Sequence, residues 1–243
     1  MKVIIKENYD EMSKAAALLI KEEVNKNPKM VLGLATGSTP IGTYDYLVKF
    51  NKNKEVDFSE ITTFNLDEYC GIGKENEQSY WYFMHEHLFN RININHHNIN
   101  MLNGMNPNAE VECTSYDKKI EDAGEIDLQV LGCGHNGHIA FNEPSKYISR
   151  GAHKVYLQES TINANKRFFE DVSQVPRASY TMGIGNIMHA KKIVMLISGA
   201  EKAEIAEKAI NGPITSEIPA SILQLHNNCV FILDKEAASK LSK

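Results

Sequence analysis

Leu131-Gly-Cys-Gly-His-Asn-Gly-His-Ile-Ala-Phe-Asn-Glu-Pro144 is the stretch on which the fold of this chain turns. It continues the apolar run Ile126 to Leu131, which reads as a strand buried on both faces of a parallel sheet. Gly132, Gly134 and Gly137 let the backbone turn sharply or pass close to a ligand. Ligands of open α/β sheets bind in crevices beyond the carboxyl ends of strands. A loop at such an end carrying His135, Asn136, His138 and Glu143 is a candidate site by position alone. The alternative is a tight strand-to-helix turn with a capped histidine.

Strand and helix signals alternate on either side of this loop. Upstream, Val3 to Ile5 is a short strand, and Asp10 caps a helix with Met12, Ala16, Leu19 and Val24 on one face. Met30 to Ala35 is a second buried strand and empties into Thr36-Gly-Ser-Thr-Pro40, where Pro40 suits a first helical turn. Ile61 to Leu66 is a strand ending at Asp67-Glu68-Tyr69, and Gln78 to Phe89 a helix. Arg91 to Asn108 is loop-like and Tyr116 to Ala123 helical. Downstream come a strand at Lys154 to Leu157, a helix at Pro176 to Met188 and a buried strand at Ile193 to Ile197. A helix with Ile205, Ala206, Ala209 and Ile210 inward follows, and strand Cys229 to Leu233 closes the sheet. This alternation predicts a three-layer α/β fold around a mostly parallel, doubly wound sheet. With no repeats, linkers or low-complexity runs, residues 1–243 read as a single domain.

Composition narrows the function classes. Of the 243 residues, 42% are hydrophobic and 23% charged, as in ordinary globular proteins. Lys and Arg number 26 against 31 Asp and Glu, a net charge of −5 that argues against a nucleic-acid surface. The opening Met1-Lys-Val-Ile-Ile-Lys6 is charged too soon for a signal peptide, and no run reaches the ~18 apolar residues of a membrane span. Cys70, Cys113, Cys133 and Cys229 are scattered, without a CxxC pair. A reduced cytoplasmic protein that does not engage membranes is expected.

Other strand ends carry chemistry of their own. The loop Thr36, Gly37, Ser38, Thr39 offers hydroxyls and backbone amides at a helix start, which suits a phosphate. It is neither a Walker A loop nor a GxGxxG turn, so a nucleotide is not expected; the alternative is an ordinary helix cap. Ser198-Gly-Ala-Glu-Lys202 is a similar turn that sets Lys202 in a first helical turn, where the helix dipole disfavours a cation unless an anion meets it. A solvated surface lysine is the alternative. Asp67 and Glu68 are adjacent in an extended segment, so they face opposite ways and one at most enters a given cleft. A carboxylate in a partly dry cleft gains the raised pKa of a general base; a helix-capping or salt-bridged acid is the alternative. His135 and His138 lie on a glycine turn without a third ligand in context, so no metal site is assigned, and His96-His97 reads as solvated loop.

Taken together, Leu34-Ala-Thr-Gly-Ser-Thr-Pro40, Phe64-Asn-Leu-Asp-Glu-Tyr69 and Gly134-His-Asn-Gly-His-Ile-Ala-Phe-Asn-Glu-Pro144 resemble the glucosamine-6-phosphate deaminase family. Leu102-Asn-Gly104, Asn165-Lys-Arg-Phe-Phe169, Val175-Pro-Arg177 and Leu223-Gln-Leu-His226 extend the similarity over nearly the whole chain. The resemblance implies a modified Rossmann-type domain converting glucosamine 6-phosphate to fructose 6-phosphate and ammonia, with neither metal nor organic cofactor. It implies Asp67 as the base moving a proton from C2 to C1, and His138 as the group that opens the sugar ring. Glu143 and Asn136 match the supporting partners of His138. Thr36, Gly37, Ser38, Thr39, Arg167 and Lys202 match the substrate-phosphate pocket.

Two departures stand out. Asn136 stands where the family's allosteric, hexameric branch carries aspartate, while other members resemble this chain in having asparagine; an amide can neither share a proton nor take a negative charge, so weaker tuning of His138 is expected. After Pro144 the family's Arg-x-Lys effector pattern is replaced by His153-Lys-Val155, with Lys146 nearby, and the C-terminal extension of that branch is missing. The shorter, unregulated branch is therefore implied, with a monomer as the simplest state and a homo-oligomer as the alternative. A 6-phosphogluconolactonase and a non-catalytic sugar-phosphate sensor are the rival readings; the Asp67-Glu-Tyr and Phe-Asn-Glu-Pro strings favour the deaminase, and a sensor would tend to lose Asp67 or His138.

Overall fold

The computed structural model describes residues 1–166 and 169–242. In chain order its strands and α-helices are β1 (Lys2–Lys6), α1 (Tyr9–Lys26), β2 (Val31–Leu34), α2 (Ile41–Lys52), β3 (Thr62–Asn65), β4 (Asp67–Tyr69), α3 (Tyr80–His87), β5 (Ile99–Asn100) and α4 (Ala109–Asp122). The second half holds β6 (Leu128–Gly132), β7 (His153–Tyr156), α5 (Glu159–Asn165), β8 (Ala178–Thr181), α6 (Ile184–His189), β9 (Ile193–Ile197), α7 (Ala203–Ile210) and β10 (Cys229–Asp234). Seven strands pair in the order β1-β10-β9-β6-β2-β3-β5, every pair parallel. β4, β8 and β7 form a separate antiparallel sheet.

Strand residues alternate between the two faces, and the packing shows it. Leu32, Leu34, Val130, Leu196 and Ile232 pack with α1 and α2 residues such as Ala16, Ile20, Tyr44 and Leu47 on one face. Leu131, Met195, Ile197 and Phe231 pack with Tyr116, Ile187 and Ala206, from α4, α6 and α7, on the other. Both faces of the central strands are apolar because both are covered, which is why these runs lack polar alternation. The expected three-layer, mostly parallel architecture is present. Among the described residues no helix is long and apolar enough to cross a membrane.

Several local expectations are corrected. The cap of α1 is Asn8, whose Oδ1 accepts from Glu11 N at 3.0 Å; Asp10 sits inside the first turn, where its charge favours the dipole. Pro40 is the N-cap of α2 and not its first residue. Ile99–Asn100, inside the expected loop, pairs with β3 as the sheet edge, and α4 begins at Ala109, well before Tyr116. The segment expected as one helix over 176–188 is instead strand β8 followed by the six-residue α6. Ala178 to Thr181 are buried between β4 and β7, and Gly183 lies against the backbone of Arg150 and Gly151, where a Cβ would come within 2.3 Å of a carbonyl oxygen. Tertiary pairing overrides the local helix signal there.

The site follows from the strand order. The chain leaves β2 toward β3 on one side, and leaves β6 toward β9 on the other. The loops after β2 and β6 therefore diverge, opening a crevice at the switch point. β3 ends there too: Leu66 N donates to Leu34 O at 3.2 Å, and Leu66 O accepts from Met182 N at 2.6 Å. Leu66 thus joins the two sheets and delivers Asp67 to their seam.

Candidate active site

A cavity of about 760 Å³ occupies this crevice. It is walled by the Thr36–Thr39 loop, Asp67, Asn136, His138 and Lys202, brought together from four strand ends. The described part of the cavity wall thus contains every residue that the family resemblance assigned to the site except Glu143, which lies directly behind it, and Arg167, which lies outside the described residues.

At one end, Gly37 turns with φ +93°, a left-handed conformation natural to glycine. The amides of Gly37, Ser38 and Thr39 make no backbone hydrogen bond among the described residues, and no side chain caps α2. Tyr9 Oη braces the loop, donating to Ser38 O at 3.1 Å and accepting from Gly42 N at 2.8 Å. The loop is therefore held open, with hydroxyls and amides available to an anion. Facing it is the turn after β9. The buried Asp234 carboxylate accepts from Ser198 Oγ and from Gly199 N at 3.0 Å, fixing the backbone that carries Lys202. Lys202 ends a 3-10 turn, Ala200–Lys202, and its Nζ donates to Cys133 O at 2.9 Å, tying the ammonium to the start of the glycine loop.

Asp67 and Glu68 face opposite ways, as their adjacency requires. Glu68 points away from the cavity, and its carboxylate accepts from the N–H groups of Tyr69, Tyr80 and Trp81, each at 2.9 Å. It thereby anchors the start of α3. Burial pushes the Glu68 carboxyl up to about 7 even against these donors. Asp67 points into the cavity, and among the described residues nothing hydrogen-bonds its carboxylate. Burial, and secondarily the nearby Glu68 charge, raise it well above the ordinary carboxylate range. An acid so placed is available to take a proton.

The glycine loop positions the imidazole. Gly134 N donates to His138 O at 2.9 Å, closing a tight turn whose Gly137 has φ +85°. The His138 ring lies directly over Gly134: a Cβ there would stand 2.3 Å from Nε2 and Cε1. On the other side of the ring, Nδ1 is 3.4 Å from Glu143 Oε2, close enough for attraction but longer than a well-formed hydrogen bond. Such bonds are often long before the reacting complex forms. Asn136 bridges the pair, its Nδ2 donating to Glu143 Oε2 at 2.6 Å and its Oδ1 accepting from His138 N at 3.2 Å. An aspartate could accept from His138 N but could not donate to Glu143, so the amide has a use of its own here. Burial alone would raise the Glu143 carboxyl, but the imidazole together with the Thr161 and Asn136 donors outweighs it and holds the group below the usual range. The carboxylate is ionised at neutral pH and can orient and polarise the ring. Gly134→Ala is expected to keep the fold and lose about 10²-fold in kcat, since a ring displaced by an ångström costs that much. Unchanged turnover, measured beside an unchanged melting temperature, would show that the ring's position is unimportant.

Three wall residues escaped the sequence reading. Tyr80 stacks on Phe141 with centroids 6.0 Å apart, Asn165 Nδ2 donates to Tyr69 Oη at 2.8 Å, and Thr161 Oγ1 donates to Glu143 Oε1 at 2.5 Å. All three line the cavity. Asn165 falls in the string shared with the family; nothing in the spacing of Tyr80 or Thr161 marks either. His153 and Val155, which stand in place of the family's Arg-x-Lys effector pair, border a second cavity of about 340 Å³, and the lysine lining it is Lys154, not Lys146.

The family model for glucosamine-6-phosphate isomerases/6-phosphogluconolactonase matches residues 6–232. A glucosamine-6-phosphate deaminase from Thermoanaerobacter sp. (strain X514) is 53% identical over 239 residues, covering 98% of this chain and 94% of its own. One from Clostridium botulinum (strain Loch Maree / Type A3) is 52% identical over 242 residues, covering 100% and 99%. Among solved structures, a monomeric glucosamine-6-phosphate deaminase superposes with TM-score 0.96 at 41% identity, over 99% of this chain and all (100%) of that one. A 6-phosphogluconolactonase from Trypanosoma brucei shares the fold alone, at TM-score 0.78 and 20% identity over 99% of this chain and 98% of that one. By its sequence along nearly its whole length, and by the same overall fold, the chain belongs to the glucosamine-6-phosphate isomerase/6-phosphogluconolactonase family.

Proposed function

We propose that this protein converts glucosamine 6-phosphate to fructose 6-phosphate and ammonia, with ring opening at His138 and proton transfer at Asp67. The observation that carries the reading is the placing of these two groups on one cavity whose far end offers an anion loop and a lysine. The phosphate sits in the Thr36–Thr39 loop against Lys202, with Arg167 as a further partner. His138 takes the proton of the C1 hydroxyl and returns one to the ring oxygen, so the ring bond breaks and the aldehyde forms. Glu143, held by Asn136, orients the imidazole and stabilises its charged form. Only the open-chain aldehyde acidifies the C2 proton, so ring opening comes first. Asp67 then takes that proton and delivers it to C1. As C2–H moves to C1 the amine gives up one N–H proton and the aldehyde oxygen gains one, leaving a C2 imine beside a C1 hydroxyl; the imine adds water, and the C–N bond breaks to leave the ketone and ammonia.

An ammonia-release assay on glucosamine 6-phosphate, run beside hydrolysis of 6-phosphogluconolactone, tests the reading: ammonia from the first and negligible turnover of the second are expected. The reverse result assigns the lactonase chemistry instead. At the phosphate end, Lys202→Ala is expected to raise KM for glucosamine 6-phosphate about 10- to 100-fold, matching the ~1.5–3 kcal/mol of a lost charge-assisted bond. Turnover of unphosphorylated glucosamine, already poor, should barely change. Equal proportional losses on the two sugars would remove Lys202 from the phosphate pocket.

We further propose a monomer without effector control, a reading supported by the monomeric relative of closely similar structure and by His153 and Val155 in place of a cationic pair. An effector must bind two states unequally to shift their balance. Hyperbolic saturation, unaltered by N-acetylglucosamine 6-phosphate, is expected; sigmoidal curves that this sugar makes hyperbolic would contradict it.

A further inference from the structure

We infer that Thr161 is a positioning residue for the proposed reaction, setting the plane of the Glu143 carboxylate so that its second oxygen faces His138. The inference rests on the function proposed above.

The two oxygens of Glu143 are used separately. Oε1 accepts from Thr161 Oγ1, and among the described residues no other donor reaches it. Oε2 accepts from Asn136 Nδ2 at 2.6 Å and lies 3.4 Å from His138 Nδ1. A carboxylate held at both oxygens has its plane fixed; held at one, it swings about that bond. Without the threonine hydroxyl the surviving short contact is the Asn136 amide, so the carboxylate would turn toward Asn136 and away from the imidazole. Oε1 would also be left buried without a donor, which is costly for a charged group.

Thr161 does not belong to the glycine loop. It lies on α5, which packs over that loop from the opposite wall: Gln158 Nε2, at its N-cap, donates to Pro144 O at 3.1 Å, and Asn165 at its last turn holds Tyr69 Oη. Ser160, Thr161 and Asn165 all face the cavity. The orientation of Glu143 therefore depends on α5 being seated, and Thr161 is the contact through which that dependence reaches the imidazole. A hydrogen bond, rather than bulk, makes the link, so valine, similar in shape but without the hydroxyl, cannot replace threonine here.

The test is steady-state ammonia release from glucosamine 6-phosphate by the wild type, Thr161→Val, Thr161→Ala and Thr161→Ser, and by Thr161→Val in a Glu143→Gln background. Thr161→Val is expected to lower kcat about tenfold or more with KM within about twofold, as for a lost bond to a charged group. Thr161→Ala should behave alike, and gives the same readout should valine not fold. Thr161→Ser, which keeps the hydroxyl, should recover most of the rate. In the Glu143→Gln background Thr161→Val should add little, because coupled residues are not additive. Wild-type kcat in both the valine and alanine variants, a change confined to KM, no recovery by serine, or an undiminished effect in the Glu143→Gln background would each overturn the assignment. An active wild type slowed by Glu143→Gln but not by Thr161→Val would refute Thr161 alone; an inactive wild type would overturn the functional reading and this inference with it.

Discussion

Asp67→Asn is expected to fold, bind glucosamine 6-phosphate with nearly unchanged affinity, and lose about two to four orders of magnitude in kcat, the usual contribution of a positioned general base. The amide keeps the shape of the side chain and cannot accept the C2 proton. Because the phosphate contacts lie on other loops, the loss should fall on kcat and leave KM near its wild-type value. Stability should move the other way. Burial and the Glu68 charge raise the Asp67 carboxyl, so the folded state holds its proton longer than the unfolded chain does. That favourable contribution is complete below the unfolded carboxyl's pKa of about 3.9 and is lost as pH rises through the folded value. The neutral amide escapes the loss, so at pH 8 the variant should melt no lower than the wild type. Activity in the wild type should rise through the same raised pKa, putting the acid limb of kcat/KM above the ordinary carboxylate range. A variant with near-normal turnover, or one that unfolds, would contradict this account of Asp67.

His138→Gln should also lose about two to four orders of magnitude in kcat, for a different reason. Glutamine cannot pass a proton from the C1 hydroxyl to the ring oxygen, so the variant has to wait for the sugar to open in water. Its residual rate should therefore level off as enzyme is added, limited by a step that takes place in solution. Rates that keep rising in proportion to enzyme, at near wild-type kcat, would place ring opening elsewhere.

Much of the architecture was legible because the central strands are buried on both faces. Runs such as Ile193 to Ile197 admit few other readings, and their loops fell at the strand ends where the crevice opens. The divergence of Asp67 and Glu68 followed from strand geometry alone, since neighbours in an extended segment cannot share a face. Short elements were harder. β5 has two residues and exists because β3 offers an edge; β8 is a strand because β4 and β7 flank it. Neither cause lies within the segment itself. Asn8, two residues before the expected Asp10, takes the cap because the helix begins at Tyr9. Thr161 carried no signal at all, for it meets Glu143 across 18 residues and a change of element.

The division of labour between Asp67 and His138 can be read most directly in the reverse direction. Fructose 6-phosphate with ammonium in D₂O, followed by proton NMR, reports exchange at C1 separately from formation of glucosamine 6-phosphate. C1 exchange needs the base but not the closing of the six-membered ring. The wild type should show both signals and Asp67→Asn neither, while His138→Gln should keep the exchange, with aminosugar formation falling to the slow rate at which the open aldehyde escapes and closes in water. Exchange that survives in Asp67→Asn, or disappears equally in both variants, would contradict the assignment of proton transfer to Asp67 and ring chemistry to His138.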